Sequence, residues 1–300
     1  MLIIDSHCDT LYLRALQPQS APCVTPERLR AGGVALQVCA LWAGPDGPAG
    51  EPEENARAQL AVWARLREQG LRAVDDPADA AAGETTAMLS VEGGEIFGEE
   101  IERLRAYRDL GVRIVALTWN HENAIAHPAI SGDEGGVKPF GWQVLAEMAR
   151  LGMAADVSHL NRRGFFDLID RHERPPMASH SCCAALRPHF RNLDNEQIRS
   201  LIRRGGWIGI NFYPAFLVEE GEAGIADIAN HIDHIAQLGG AEHVGFGSDF
   251  DGIDRSPVDL PHPGAFPRLI EALRARGYDE PALHGIASKN FLRYFERIQS

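Results

Sequence analysis

Short uninterrupted apolar runs alternate along the chain with stretches whose apolar positions recur every three or four residues. The runs predict strands at 2–7, 34–41, 86–92, 112–118, 153–158, 176–180, 206–212 and 243–248. They are mostly apolar throughout, the pattern of parallel strands buried on both faces. The periodic stretches predict helices at 53–69, 98–110, 139–151, 162–173, 194–204, 225–239 and 265–276. Asp194 suits an N-cap with Glu196 in the first turn, and Gly70, Gly111, Gly152, Gly205 and Gly239 suit helix ends. Eight strands alternating with helices predict an α/β fold of the (β/α)8 TIM-barrel type, with its site at the C-terminal strand ends. An open doubly wound sheet would give a similar string, but no Gly-x-Gly-x-x-Gly follows the first strand. Connections over 42–58 and 119–138 are long, and both follow strands on the face where barrels keep their chemistry. No stretch reads as a linker, so residues 1–300 are expected to form one domain.

Composition narrows the choices. The 42 acidic and 29 basic residues leave a net charge of −13, which repels a phosphate backbone and argues against nucleic-acid binding. Only Lys138 and Lys289 are lysines, and neither stands at a strand end. That excludes Schiff-base chemistry and a carbamylated-lysine metal bridge. No Gly-x-Ser-x-Gly elbow is present, which argues against an α/β-hydrolase. The five cysteines, at 8, 23, 39, 182 and 183, are odd in number and form no zinc-finger spacing. A reducing, cytoplasmic setting is expected. The N-terminus lacks a signal-peptide pattern, no apolar run is long enough to span a membrane, and no lipid-anchor signal closes the chain.

The candidate chemistry stands at the strand ends. The first strand runs into Asp-Ser-His7-Cys-Asp9, the fifth into Asp-Val-Ser-His159 and the sixth into Ala-Ser-His180. The third ends at Glu92 and the eighth at Asp249. A barrel gathers these ends at one mouth. Three imidazoles and three carboxylates suit a borderline cation such as zinc, and six candidate ligands exceed one tetrahedral site. Two metals sharing a carboxylate use them naturally, and with no lysine available Glu92 is the natural bridge. Cys8, Cys182 and Cys183 are expected in core packing, and His231 and His234 on a solvated helix face. His121 and His127, on the 119–138 connection, are candidates to reach substrate.

The motifs Asp-Ser-His7-Cys-Asp9-Thr, Ser-Val-Glu92-Gly-Gly, Asp-Val-Ser-His159, Ser-His180-Ser, Arg191-Asn, Ile-Asn-Phe-Tyr213 and Val-Gly-Phe-Gly-Ser-Asp249-Phe-Asp-Gly occur in that order. With them the chain resembles the bacterial branch of the membrane (renal) dipeptidase family, peptidase family M19, among the amidohydrolase-like barrels. The resemblance implies a dipeptidase with two Zn2+ per chain, bridged by Glu92 and a water or hydroxide. His7 and Asp9 would hold one ion, and His159 and His180 the other. It further implies that Arg191 binds the substrate carboxylate, that Asp249 moves the proton, and that Tyr213 lines the pocket. Dipeptides with a D-residue at the C-terminus are expected substrates, and a homodimer the expected assembly. One departure is Trp119, where the family pattern carries a substrate-contacting His; Asn120 and His121 follow it as candidate substrate contacts. Related readings on the same centre are hydrolysis of N-acyl amino acids or lactams, or a catalytically silent metal-binding homologue.

Overall fold

The computed structural model of the protein describes residues 1–300 except positions 46, 48 and 49. Its strands are β1 Ile3–Asp5, β2 Val34–Trp42, β3 Arg72–Ala73, β4 Thr86–Glu92, β5 Val112–Ala116, β6 Ala154–Asp156, β7 Met177–Ala178, β8 Trp207–Ile210 and β9 Val244–Phe246. All pairings are parallel, in the order β2-β1-β9-β8-β7-β6-β5-β4, and β4 pairs back onto β2 to close an eight-stranded barrel. Among the described residues only the strand β3 lies outside the closed circuit, paired with the first residues of β4. The sequence pattern gave no sign of this two-residue strand.

Inside the barrel Ile4, Leu36, Val38, Met88, Ile114, Ala154, Met177 and Trp207 form a compact plug. The helix Asn290–Gln299 closes its base with Phe291, Tyr294, Phe295 and Ile298. Trp207 meets Phe291 edge-on at 5.0 Å, and the Tyr294 hydroxyl donates to the Pro175 carbonyl at 3.0 Å. A second, larger core joins the outer faces of the strands to the helices. The bottom of the barrel is therefore sealed, and the mouth at the C-terminal strand ends is left for chemistry.

Six predicted strands run one to three residues past the observed ladders. There the chain leaves the sheet to aim side chains into the mouth, and buried carboxylates take over the freed N–H groups. Asp156 Oδ1 accepts from the amides of Ser158 and Ser179 at 2.8 and 2.9 Å. Asp5 Oδ1 accepts from the Ser248 amide at 2.8 Å. The connection predicted over 42–58 is shorter: β2 runs to Trp42, and a helix starts at Pro52, whose missing N–H suits a first turn. Its positions 46, 48 and 49 lie outside the described residues. The helix Asn195–Arg204 begins at Asp194 with a full capping box: Asp194 Oδ1 accepts from the Gln197 amide at 2.8 Å, and Gln197 returns the bond.

Candidate active site

His7 follows β1, Glu92 ends β4, His159 follows β6, His180 follows β7 and Asp249 follows β9, so five separate strand ends deliver these side chains to one place. Glu92 is the hub. Its Oε1 lies 3.1 Å from His159 Nε2, 3.3 Å from His180 Nε2 and 3.7 Å from His7 Nε2. His7 Nε2 is 3.3 Å from Asp9 Oδ2 and 3.8 Å from Asp249 Oδ1. Two overlapping donor groups result: His7, Glu92 and His180, and His7, Asp9 and Asp249.

The donor set fits divalent cations. His7 Nε2 and Asp9 Oδ1 are buried without a hydrogen-bond partner among the described residues. Burial holds His159 and His180 well below the ordinary imidazole range, so both are neutral and able to donate a lone pair. Burial, reinforced by Asp9, pushes Glu92 up. Burial alone would depress His7, but the Glu92 and Asp9 carboxylates outweigh it and raise it to about 10. Three crowded carboxylates thus draw positive charge to this point, which a divalent ion meets.

A second layer of side chains orients the first. His159 Nδ1 lies 3.1 Å from Asn120 Oδ1, which leaves Nε2 facing Glu92. His180 Nδ1 lies 2.7 Å from Ser179 Oγ, and Ser179 in turn bonds to Asp156. On the other side of the barrel, Ser248 Oγ donates to Asp5 Oδ2 at 2.5 Å, immediately before Asp249. In both cases a buried Asp on one strand grips the serine that precedes a site residue on the next. His159 and Asp249 have φ of 66° and 64°, in the left-handed region that non-glycine residues rarely enter. Gly252 serves the same site by having no side chain, since a Cβ there would lie 2.1 Å from Asp9 Oδ2 and 2.7 Å from Asp249 Oδ1.

Asp249 Oδ2 accepts from Asn211 Nδ2 at 2.9 Å. Burial raises its carboxyl against the pull of His7, to about 7. Such a group can take and return a proton near neutrality. A cavity of about 420 Å³ opens above the centre; Trp119, Asn120 and Tyr213 line it, together with Tyr12, Trp42 and Asp254. Trp42 meets Trp119 edge-on at 5.2 Å and Tyr12 at 5.0 Å, which forms an aromatic wall.

Arg191 lies behind this cavity rather than in its lining. It is buried, its guanidinium lies 5.5 Å from the Phe216 ring, its Nη2 donates to the His180 carbonyl at 3.4 Å, and its Nε has no partner among the described residues. His121 packs on Trp119 at 5.6 Å, and His127 lies 3.4 Å from Glu122; neither lines the cavity. His231 corrects the expected solvated face. It is buried, accepts from the Cys183 amide through Nδ1 at 3.0 Å, and faces the Leu217 carbonyl through Nε2 at 3.1 Å. It therefore ties a strand-end loop to the helix Ile225–Ile235. His234 is half-buried and lies 2.7 Å from Asn195 Oδ1. The residues missed by sequence reading were Asp5, Asp156, Ser179, Ser248 and Asn211. The recurring pair of an Asp closing an apolar run and a Ser closing the next was their available signal.

A family model described as membrane dipeptidase, peptidase family M19, matches residues 1–300. An uncharacterized dipeptidase of Schizosaccharomyces pombe is 35% identical over 241 residues, 76% of this chain and 58% of that protein. The dipeptidase aclJ of Aspergillus oryzae is 35% identical over 224 residues, 72% of this chain and 52% of its own length. The chain thus spans little more than half the length of these two relatives. A metallopeptidase from Rhodobacter sphaeroides, solved with a phosphinate mimic of the dipeptide L-Ala-D-Ala, superposes with a TM-score of 0.90 at 27% identity, over 99% of both chains.

Proposed function

Because this chain belongs to the membrane dipeptidase family, peptidase family M19, we propose that it hydrolyses the amide bond of dipeptides at a centre of two Zn2+ ions. The observation that carries this reading is the single Glu92 oxygen within 3.1–3.7 Å of three imidazole nitrogens. His7 and Asp9 would hold one ion, His159 and His180 the other, with Glu92 shared between them. When bound, the cations supply an acidified water and a Lewis acid for the scissile carbonyl. All of residues 1–300 serve this one catalytic domain.

The protein's own groups do the rest. Arg191, with its free Nε, binds the substrate carboxylate; a guanidinium fork suits that task better than an ammonium. Asp249, held by Asn211, takes the proton from the attacking water and gives it to the leaving amine. Tyr213 and Trp119 wall the pocket, and Asn120 positions His159. His121 acts through its packing on Trp119. The L-Ala-D-Ala mimic bound by the Rhodobacter sphaeroides protein supports L-Xaa-D-Xaa dipeptides as substrates. Among the described residues the five cysteines are free, which supports a cytoplasmic setting, and no helix is long and apolar enough to cross a membrane. The test is a screen of L,L-, L,D- and D,D-dipeptides, free and C-terminally amidated, with zinc-loaded protein. Cleavage of free L,D-dipeptides with amidated ones spared supports the reading. Uniform inactivity, or indifference to amidation, contradicts it.

A further inference from the structure

A second cavity, of about 330 Å³, lies outside the barrel, between the outer face of β2 and β4 and the helices Thr10–Leu16, Pro26–Gly32 and Pro52–Glu68. Its volume falls at the lower end of small-molecule sites, which occupy roughly 300–1,000 Å³. Three features set it apart from a packing defect. First, Arg14 lines it with a guanidinium that has no acid partner among the described residues. Nε donates to Thr10 Oγ1 at 3.3 Å and Nη2 to the Val24 carbonyl at 3.4 Å, so Nη1 is unused. Second, Gln37 lines it from β2, 1% exposed, on a face that otherwise carries Cys39 and Leu41. Its amide nitrogen makes bonds of 3.3 and 3.5 Å to backbone carbonyls, and its Oε1 is buried with no partner among the described residues. A buried acceptor without a donor is costly in a native core, and a ligand N–H relieves it. Third, the remaining walls are divided: Arg30 and Glu84 also line the cavity but are paired with Glu27 and Arg72, the Thr85 hydroxyl is spent on the Val34 carbonyl, Thr25 offers a hydroxyl, and Leu29, Leu66 and Leu71 offer an apolar lining.

We propose that this cavity is a binding site for a free amino acid, distinct from the metal centre. The cationic Arg14, with the Thr25 hydroxyl, takes the carboxylate. Gln37 Oε1 accepts from the ammonium, and the leucines cover an apolar side chain. Anion recognition alone leaves Gln37 Oε1 unpaired, and an amine alone leaves Arg14 uncompensated. A molecule carrying both charges satisfies both groups.

The experiment is calorimetric titration of zinc-loaded protein with L-leucine, 4-methylpentanoate and leucinamide, together with crystals soaked in L-leucine. Two variants accompany the wild type. Arg14→Met keeps the stem and removes the charge, and Leu66→Trp fills the cavity from its lining. L-leucine is expected to bind at least tenfold more tightly than either single-charge analogue, with density between Arg14 and Gln37. Binding should weaken at least tenfold in Arg14→Met and vanish in Leu66→Trp, with zinc content and melting temperature retained. Because binding is read without turnover, the outcome is independent of the dipeptidase reading. Absence of binding, binding unchanged in both variants, or only water in the cavity overturns the proposal.

Discussion

Asp5 Oδ1 accepts the Ser248 backbone N–H at 2.8 Å, which ties the strand carrying His7 to the strand carrying Asp249. Asp5 is wholly buried, and burial pushes its carboxyl up even though Ser248 bonds to it. Replacing it with Ala leaves the Ser248 amide and hydroxyl without their acceptor. We expect Asp5→Ala to cost about 3 kcal/mol, from the stranded donors and the lost charge-assisted bonds. Denaturant unfolding of metal-free wild type and variant measures this. A loss below about 1 kcal/mol would show that water replaces the clamp.

Asp249 is held by Asn211 at one oxygen and faces His7 with the other. In the proposed mechanism it carries the proton, so Asp249→Asn should retain metal while kcat falls by roughly 10²-fold or more. Metal analysis and steady-state kinetics on the same sample check both halves. Near-full activity would assign proton transfer to another group.

Glu95 gives a pH-dependent stability signature away from the metal ligands. Neither carboxylate oxygen meets hydrogen-bond geometry with a partner among the described residues, and burial raises its pKa from 4.5 to about 7 against a weaker pull from nearby Asn123. The folded protein therefore keeps this proton up to about pH 7, whereas the unfolded chain releases it near 4.5. Folding takes up a proton between these values, so this group's stability is greatest below pH 4.5 and declines as pH rises towards 7. The difference between 4.5 and about 7 corresponds to about 3 kcal/mol. Glu95→Gln lacks the titration, so its stability relative to wild type should rise by about that amount between pH 4.5 and 8. Parallel urea curves at the two pH values measure it; a constant difference would contradict the assignment.

Much of this was legible in the sequence because a barrel converts strand order into spatial convergence. Apolar runs marked all eight barrel strands within a few residues of their observed ends; of the residues at or just past those ends, His7, His159 and His180 meet one oxygen of Glu92, and Asp249 faces His7. What escaped was set by long-range contact. The strand β3 has only two residues and no periodicity of its own. The helix Thr10–Leu16 begins directly after a site residue, and the base-sealing helix Asn290–Gln299 lies beyond the last predicted element. His231 looks like a helix-face residue at local spacing, yet the Cys183 amide and Leu217 carbonyl bury it. Asp5 and Asp156 read as strand ends, and their serine partners are supplied by strands 243 and 23 residues away.

The central claim, a carboxylate shared between two cations, is tested most directly by counting metal ions per chain after zinc reconstitution and removal of excess. Glu92 Oε1 touches the imidazoles of both proposed halves of the centre. The wild type should hold two zinc ions per chain, and Glu92→Gln, which removes the shared negative charge, should lower the occupancy of both. One tight ion in the wild type, or full double occupancy in Glu92→Gln, would contradict the account.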